Sequence, residues 1–381
     1  MLNKTEIENY IKQFRADFIK SSDTTSIYKS PSKRHNSNRG KLKSVLFILR
    51  SLLDFIILKL GLFFPKFRNK RIVYTAYNFT TTVDGIVEDR IVKPLFRDNI
   101  LFINHSKEIW ISRINNEKVY NIGGVAKLLA MFSKESTKIM RYFYAYQKVN
   151  KWVLSGFSSK EVFLMFFYDL NSLSIIFSDY RHKLKLIEIQ HGSIINYPAY
   201  TKPSPIKAID VFYVKNKETI AFLKSHLNKH FTDVNYHLLP YPKNNTFYHS
   251  GIHILYASTV EFNGIHPTFL TYLKKITLED DVNVYIRLHP REKNKREVFE
   301  EQLLSVKANV VFDESKNWLE SNLIKNLIIA SPWSSVIEEA ADNGYKTIIL
   351  EEFGKERFGY LIDNINVIFA DNFNQILKFV N

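Results

Sequence analysis

Ile286-Arg287-Leu288-His289-Pro290-Arg291 decides how this chain reads, together with Ser331-Pro332-Trp333-Ser334-Ser335-Val336-Ile337-Glu338-Glu339-Ala340 downstream. In each, an apolar strand-like run (Val282 to Leu288; Asn326 to Ala330) gives way to polar residues and then to a helix-like run. Open α/β sheets bind their ligands at that place, the carboxyl ends of the strands. Both loops are therefore expected to face one pocket. Arg287 and Arg291 offer forked donors to phosphate, His289 donates or accepts, and Ser334 and Ser335 with the N–H groups of a helix start form an anion cradle. Glu338 or Glu339, one turn on, suits the two hydroxyls of a ribose. A plain serine N-cap with acidic first-turn residues also accounts for the second stretch. It does not account for Arg287, His289 and Arg291 at the same sheet edge.

Outward from this pair, β-rich runs recur. Those of the second half are Ile252 to Ala257, Val282 to Leu288, Val310 to Phe312, Leu327 to Ala330, Thr347 to Leu350 and Val367 to Phe369. Those of the first half are Ile72 to Tyr77, Ile100 to Asn104, Leu173 to Ser178, Leu184 to Gln190 and Val211 to Val214. Strands separated by longer helix-period segments argue for mostly parallel sheets with crossover helices. Pro198 to Pro205 is rich in breakers, and Leu239-Pro240-Tyr241-Pro242-Lys243-Asn244-Asn245 reads as an interdomain link. The expectation is α/β, with two Rossmann-like domains facing a cleft, at 71–245 and 246–381. A length of 381 residues suits two cores.

The formal charge of +15 is unevenly spread. Residues 1–71 hold sixteen Lys and Arg against five Asp and Glu, so +11 of the +15 sits there. Residues 1–43 read as a basic extension: a helical stripe at Ile7, Tyr10, Ile11, Phe14 and Phe18, then a flexible linker of Ser, Asn, Lys and Arg. Residues 44–70 follow as an amphipathic segment. Ser44 to Phe64 has roughly the length of a bilayer-spanning helix. Arg50, Asp54 and Lys59 interrupt it, and a central charge costs about 2.5–3.5 kcal/mol on insertion. Lys43, Arg50 and Asp54 are expected on one narrow polar stripe, which favours an interfacial helix flanked by Lys66, Arg68, Lys70 and Arg71. A helix packed under the first domain is the other reading.

Gln190-His191-Gly192 ends a strand-like run. His191 is a candidate general base, and Gly192 lets backbone approach closely; a hydrogen-bonded turn histidine is the bland alternative. Asp84-Gly85 follows the first strand, where Asp84 would abstract a proton from an acceptor hydroxyl; Asp-Gly is also a common turn dipeptide. Gln190, Gly192 and Gly85 are expected to line the acceptor side. His266-Pro267 reads as a helix start. Cysteine is absent, so disulfides and thiolate metal sites are excluded. No Walker A loop, Gly-x-Gly-x-x-Gly, His-Glu-x-x-His, Gly-x-Ser-x-Gly or Asp-x-Asp occurs, so no metal or other cofactor is expected. The polar first forty residues do not read as a secretory leader.

Arg287-Leu288-His289-Pro290 and Ser334-Ser335 resemble the His-Pro and Ser-Ser motifs of bacterial GT-B sialyltransferases and polysialyltransferases. Those motifs bind the phosphate and ribose of CMP. Asp84-Gly85 is similar to the end of their acidic-acidic-Gly motif, with Val83 in place of its first acid. Gln190-His191-Gly192 is similar to the His-Gly motif of capsule Kdo transferases and teichoic acid glycerophosphotransferases. The resemblance, in organisation over roughly residues 70–375, implies a metal-independent glycosyltransferase of bacterial capsule or lipopolysaccharide synthesis. Its partners would be a nucleotide-activated sugar, favoured as a CMP-linked acidic sugar, a glycan or lipid-linked acceptor, and an anionic membrane surface at the cytoplasmic face. A CDP-glycerol or polyol-phosphate transferase, a UDP-sugar epimerase and a nucleic-acid-binding protein remain as alternatives. The basic arm abuts an apolar segment rather than scattered aromatics, which favours a membrane over nucleic acid.

Overall fold

The computed structural model describes residues 5–13 and 38–380, apart from 76–79, 84–85, 90–91, 97–98, 107–109, 115, 165–166, 191–193, 196–199, 201–206, 227–233, 239–247, 261–263, 277–280, 290–291 and 315–323. The chain divides into two compact units, built chiefly from Pro31–His191 with Thr201–Leu239, and from Pro240–Asn381.

In the first unit the strands are β1 (Arg71–Thr75), β2 (Thr80–Val83), β3 (Ile86–Asp89), β4 (Ile100–Asn104), β5 (Arg113–Ile114), β6 (Glu117–Asn121), β7 (Glu161–Leu164), β8 (Lys185–Ile189), β9 (Val211–Val214) and β10 (Asn235–Leu238). They form an eight-stranded sheet in the order β10-β9-β8-β7-β1-β4-β6-β5, with β2 and β3 in a separate antiparallel ribbon. All pairs of the large sheet are parallel except β5 with β6. The longer helices of this unit after residue 37 are α1 (Asn38–Gly61), α2 (Gly123–Met131), α3 (Lys138–Leu154), α4 (Leu170–Ile176) and α5 (Lys217–His226).

The second unit contains β11 (Ile252–Ala257), β12 (Val282–Arg287), β13 (Asn309–Phe312), β14 (Leu327–Ser331), β15 (Lys346–Ile349) and β16 (Val367–Phe369). They are all parallel, in the order β13-β12-β11-β14-β15-β16. Its helices are α6 (Pro267–Lys275), α7 (Arg296–Leu303), α8 (Val336–Asp342), α9 (Glu352–Phe358) and α10 (Phe373–Val380). Counted within the unit, the strand order is 3-2-1-4-5-6, the doubly wound Rossmann order. The parallel strands of the first unit follow the same order with one more strand appended. The α/β expectation with two Rossmann-like units therefore holds.

Burial explains these elements. β4 and β14 are buried along their whole length and sit inside their sheets, as apolar strands covered on both faces must be. One face of the second sheet packs Ile254, Tyr256, Val284, Ile286 and Ile328 against Phe269 of α6, Phe299 of α7 and Ile376 of α10. Leu255, Leu327 and Ile329 meet Ala340 of α8 on the other face.

Two expectations change. Leu173 to Ser178 is not a strand: residues 170–176 form α4, because the Asp169 carboxylate caps the helix by accepting from Ser172 N at 2.7 Å. The strand reading followed a short buried apolar run, whose periodicity does not separate helix from strand. Arg50 and Asp54, one turn apart on the same side of the helix, meet different surroundings. Asp54 turns inward, while Arg50 is exposed, 5.9 Å from the Trp110 ring. Helix α1 also starts at Asn38, inside the expected linker.

Candidate functional site

In a doubly wound sheet the ligand crevice opens where the strand order reverses. In the second unit that point lies between β11 and β14, beside β12. The end of β11 holds the loops that follow both neighbours. Ser258 Oγ accepts from His289 N at 2.8 Å and donates to Glu292 Oε2 at 2.6 Å. Glu292 N closes the turn on His289 O at 2.7 Å. On the other side, Ser331 Oγ donates to Ala257 O at 2.7 Å and accepts from Ser334 N at 3.1 Å. Ser258, Glu292 and Ser331 are buried, so these bonds are sheltered from competing water. Two short motifs 45 residues apart in the chain, His289 and Ser334, are thus tied to one strand end.

The side chains of His289, Ser334 and Ser335 are partly exposed at this edge. Ser335 occupies the N-cap position of α8 without a side-chain capping bond, and Ser334 Oγ accepts from Val336 N at 3.4 Å. The turn is fixed from below. A Cβ on Gly354 of α9 would lie 1.9 Å from Pro332 O, and Trp333 packs edge-on to Phe353, with ring centroids 5.6 Å apart. His266, the N-cap of α6, reaches Glu351 Oε2 at 3.0 Å, and its backbone N–H donates to Tyr256 Oη at 2.9 Å. Burial lowers the His266 pKa below the ordinary histidine value, against a smaller upward pull from Glu351.

Two expected ligand groups are otherwise engaged. The Arg287 guanidinium holds Asp313 Oδ2 at 2.7 Å, on the β13 side of β12, because β13 is followed by an acid at the same edge. Glu338 is fully buried, and Tyr360 Oη donates to its Oε1, so of the two ribose candidates only Glu339 is partly exposed. Gln190 is buried, and its Oε1 accepts from Lys215 N at 2.7 Å, stitching the ends of β8 and β9. Arg291, His191, Gly192, Asp84 and Gly85 lie outside the described residues. Val83 pairs with Ile86 in the β2–β3 ribbon.

The sequence reading missed one pair in the first unit. His105 directly follows β4, which pairs with β1, and its Nε2 lies 3.5 Å from Asp169 Oδ2. Asp169 is held in place by capping α4. Tyr146 Oη donates to His105 O at 2.9 Å, and the Tyr74 and Tyr146 rings stand 6.1 and 6.4 Å from the imidazole centre. Among the described residues, the buried His105 Nδ1 has no hydrogen-bond partner. Nε2 beside a carboxylate orients the imidazole as in a base–carboxylate pair, while Nδ1 is closed off from the surface. The strand-end argument applied to His191 would have found it. A cavity of about 770 Å³ in the same unit, lined by Tyr144, Lys148, Arg181 and His182, lies at the opposite, amino edge of β8. Its most buried cation, Arg181, is paired with Asp210 at 2.8 Å, so we favour the carboxyl edges, where the strand order places ligands.

No protein-family model matches the sequence, and no curated protein matches it. Among solved structures, Acinetobacter baumannii MurG is similar at 8% identity over 70% of this chain and 76% of that one, with a TM-score of 0.42. A UDP-GlcNAc 2-epimerase from Neisseria meningitidis bound to UDP-GlcNAc is similar at 11% identity, 69% and 82% coverage and a TM-score of 0.42. The UDP-N-acetylglucosamine 2-epimerase from Rickettsia bellii is similar at 13% identity, 82% and 86% coverage and a TM-score of 0.41. The fold assignment rests on the observed strand order rather than on these likenesses.

Proposed function

We propose that the protein is a glycosyltransferase that binds the nucleotide of an activated sugar at the carboxyl edge of the second sheet. The observation that carries this reading is the double tether of the His289 loop and the Ser334–Ser335 turn to the end of β11 at the topological switch point. His289, Ser334, Ser335 and Arg291 contact phosphate, and Glu339 reaches the ribose. Because Arg287 is paired with Asp313, its part is to hold the loop rather than to meet the ligand. The favoured donor is a CMP-linked acidic sugar and the product a bacterial surface glycan, on the strength of the motif resemblance.

The first unit holds the acceptor. A base takes the proton of an acceptor hydroxyl, the oxygen attacks the anomeric carbon, and the nucleotide leaves with the bonding electrons, its charge stabilised by protein donors without a metal. His191 and Asp84 are the bases suggested by sequence; His105, oriented by Asp169, is a third. The enzyme works peripherally on the cytoplasmic face of a membrane that carries its acceptor. A CDP-polyol-phosphate transferase is the second reading, favoured by Gln190-His191-Gly192.

The test is nucleotide release from CMP-, CDP- and UDP-linked donors with membrane glycans as acceptor, in the presence of EDTA. Release from a CMP-sugar supports the favoured reading, and release from CDP-glycerol selects the second. No release from any donor contradicts the transferase assignment. Among His105→Gln, His191→Gln and Asp84→Asn, the base is the one whose loss cuts turnover about 100-fold or more while nucleotide binding stays.

A further inference from the structure

Helix α1 buries polar side chains beside Leu58 and leaves an apolar face outward. Its inward face carries Ser51 and Asp54, both buried. Asp54 Oδ2 accepts from Asn121 N at 3.1 Å and from Asn121 Nδ2 at 3.0 Å, and Oδ1 pairs with Lys118 at 3.2 Å. Ser51 Oγ accepts from Gly124 N at 3.3 Å, where α1 and α2 approach so closely that a Cβ on Gly124 would lie 2.5 Å from that oxygen. The outward face is apolar. Val45, Leu46, Leu49, Leu53, Ile56 and Leu60 are each 46–57% exposed. At about 100° per residue they fall within an arc of roughly 100° that contains no charged residue. Phe63 and Phe64 extend the row, and Phe132, 79% exposed, follows the end of α2.

An ordinary surface helix shows the reverse pattern, and a contiguous apolar surface of this extent marks a site of association. The charge around it selects the partner. Lys43 and Arg50 of α1 and Lys66 and Arg68 just beyond it are exposed, while Asp54, the only carboxylate of α1, is turned inward. Two copies joined through this face would bring basic margins together, whereas anionic headgroups would neutralise them. Among the described residues no helix is long and apolar enough to cross a membrane.

We propose that the outward face of α1, continued by Phe63, Phe64 and Phe132, is a docking surface that lies in the plane of an anionic phospholipid bilayer. It rests on the peripheral-membrane reading of the enzyme and specifies the surface that carries it. The helix anchors to protein through its buried polar stripe and to lipid through its apolar arc.

The test is sedimentation of the full chain with vesicles of phosphatidylcholine alone and of phosphatidylcholine mixed with phosphatidylglycerol. The comparison variant is Leu49→Glu/Leu53→Glu, at exposed positions that make no part of the buried core. Wild type is expected to sediment with the mixed vesicles and less with phosphatidylcholine alone or in high salt. The variant is expected to bind at least about tenfold more weakly. Wild type left in the supernatant with both vesicles, or a variant that sediments equally, overturns the proposal. So does a concentration-dependent dimer in analytical ultracentrifugation that the variant dissolves, without vesicle binding, which assigns the face to a second copy. Nucleotide-induced stabilisation measured on the same preparations separates loss of docking from failure of the donor-site reading.

Discussion

The carboxyl edges of the two sheets share a strand order and one packing device, yet they are finished differently. In the first unit, a Cβ on Gly123 at the start of α2 would lie 1.9 Å from Ser106 O in the loop after β4. In the second, a Cβ on Gly354 in α9 would lie 1.9 Å from Pro332 O in the loop after β14. In both, the glycine belongs to the helix that follows the neighbouring strand, β6 or β15, and presses on the loop of the inner strand. Beyond that, the second edge is tied by buried serines that hold backbone and leave partly exposed polar side chains facing out. The first edge turns its amides inward: Asn104 Nδ2 donates to Asn121 Oδ1 at 2.8 Å, and Asn121 donates to Asp54. The same architecture thus makes an edge of partly exposed polar side chains in one unit and, in the other, a platform for α1 and for the His105–Asp169 pair.

The sharpest way to separate the edges is to fill each glycine. Gly123→Ala and Gly354→Ala each force a methyl onto a backbone oxygen that no side-chain rotation relieves, at about 3 kcal/mol each. Urea denaturation should show similar losses for the two. Nucleotide affinity should fall only in Gly354→Ala, and equal loss in both would break the distinction between the edges.

Next in size are the buried tethers. Asp54→Ala strands the two Asn121 donors and should cost about 2–3 kcal/mol in urea denaturation, loosening α1 while sparing nucleotide binding. Ser258→Ala releases His289 N and Glu292 at about 1–2 kcal/mol and should also weaken nucleotide binding about tenfold by calorimetry. A Ser258→Ala protein with full affinity would show that the tether is structural only.

The smallest effect is a pH dependence confined to the second unit. His266 in the folded protein binds its proton less readily than in the unfolded chain, so on acidification the unfolded state takes up the proton first. The stability it contributes near neutral pH is therefore lost as pH falls below about 6.5 toward the lower folded value. The melting midpoint should drop over that window, and His266→Gln should flatten the drop. An unchanged slope would rule out burial of neutral His266 as its source.

Sequence legibility followed the same division. All six strands of the second unit were readable, because each is a clean apolar run bounded by polar residues, as in Val282–Arg287 and Leu327–Ser331. In the first unit β2, β3, β5, β6 (Glu117–Asn121), β7 (Glu161–Leu164) and β10 (Asn235–Leu238) were missed: β6 and β10 mix apolar residues with charge or amide, β2, β3 and β5 are two to four residues long, and β7 sits in a longer apolar stretch of sequence whose pattern does not separate strand from helix. His289 and Ser334 could be paired from their strand-end positions alone. The engagement of Arg287 by Asp313 and of Glu338 by Tyr360 could not, because both depend on which strands and helices lie side by side. The inward turn of Asp54 was hidden for the same reason: its partners Lys118 and Asn121 are far away in sequence.

The most direct test of the account is calorimetric titration of CMP and UDP into the wild-type chain and into Ser334→Ala/Ser335→Ala. We expect saturable one-site binding, with CMP preferred, that the double variant weakens at least about tenfold while its melting midpoint without nucleotide stays close to wild type. Absence of binding by either nucleotide, or unchanged affinity in the double variant, would contradict the placement of the donor site at the carboxyl edge of the second sheet.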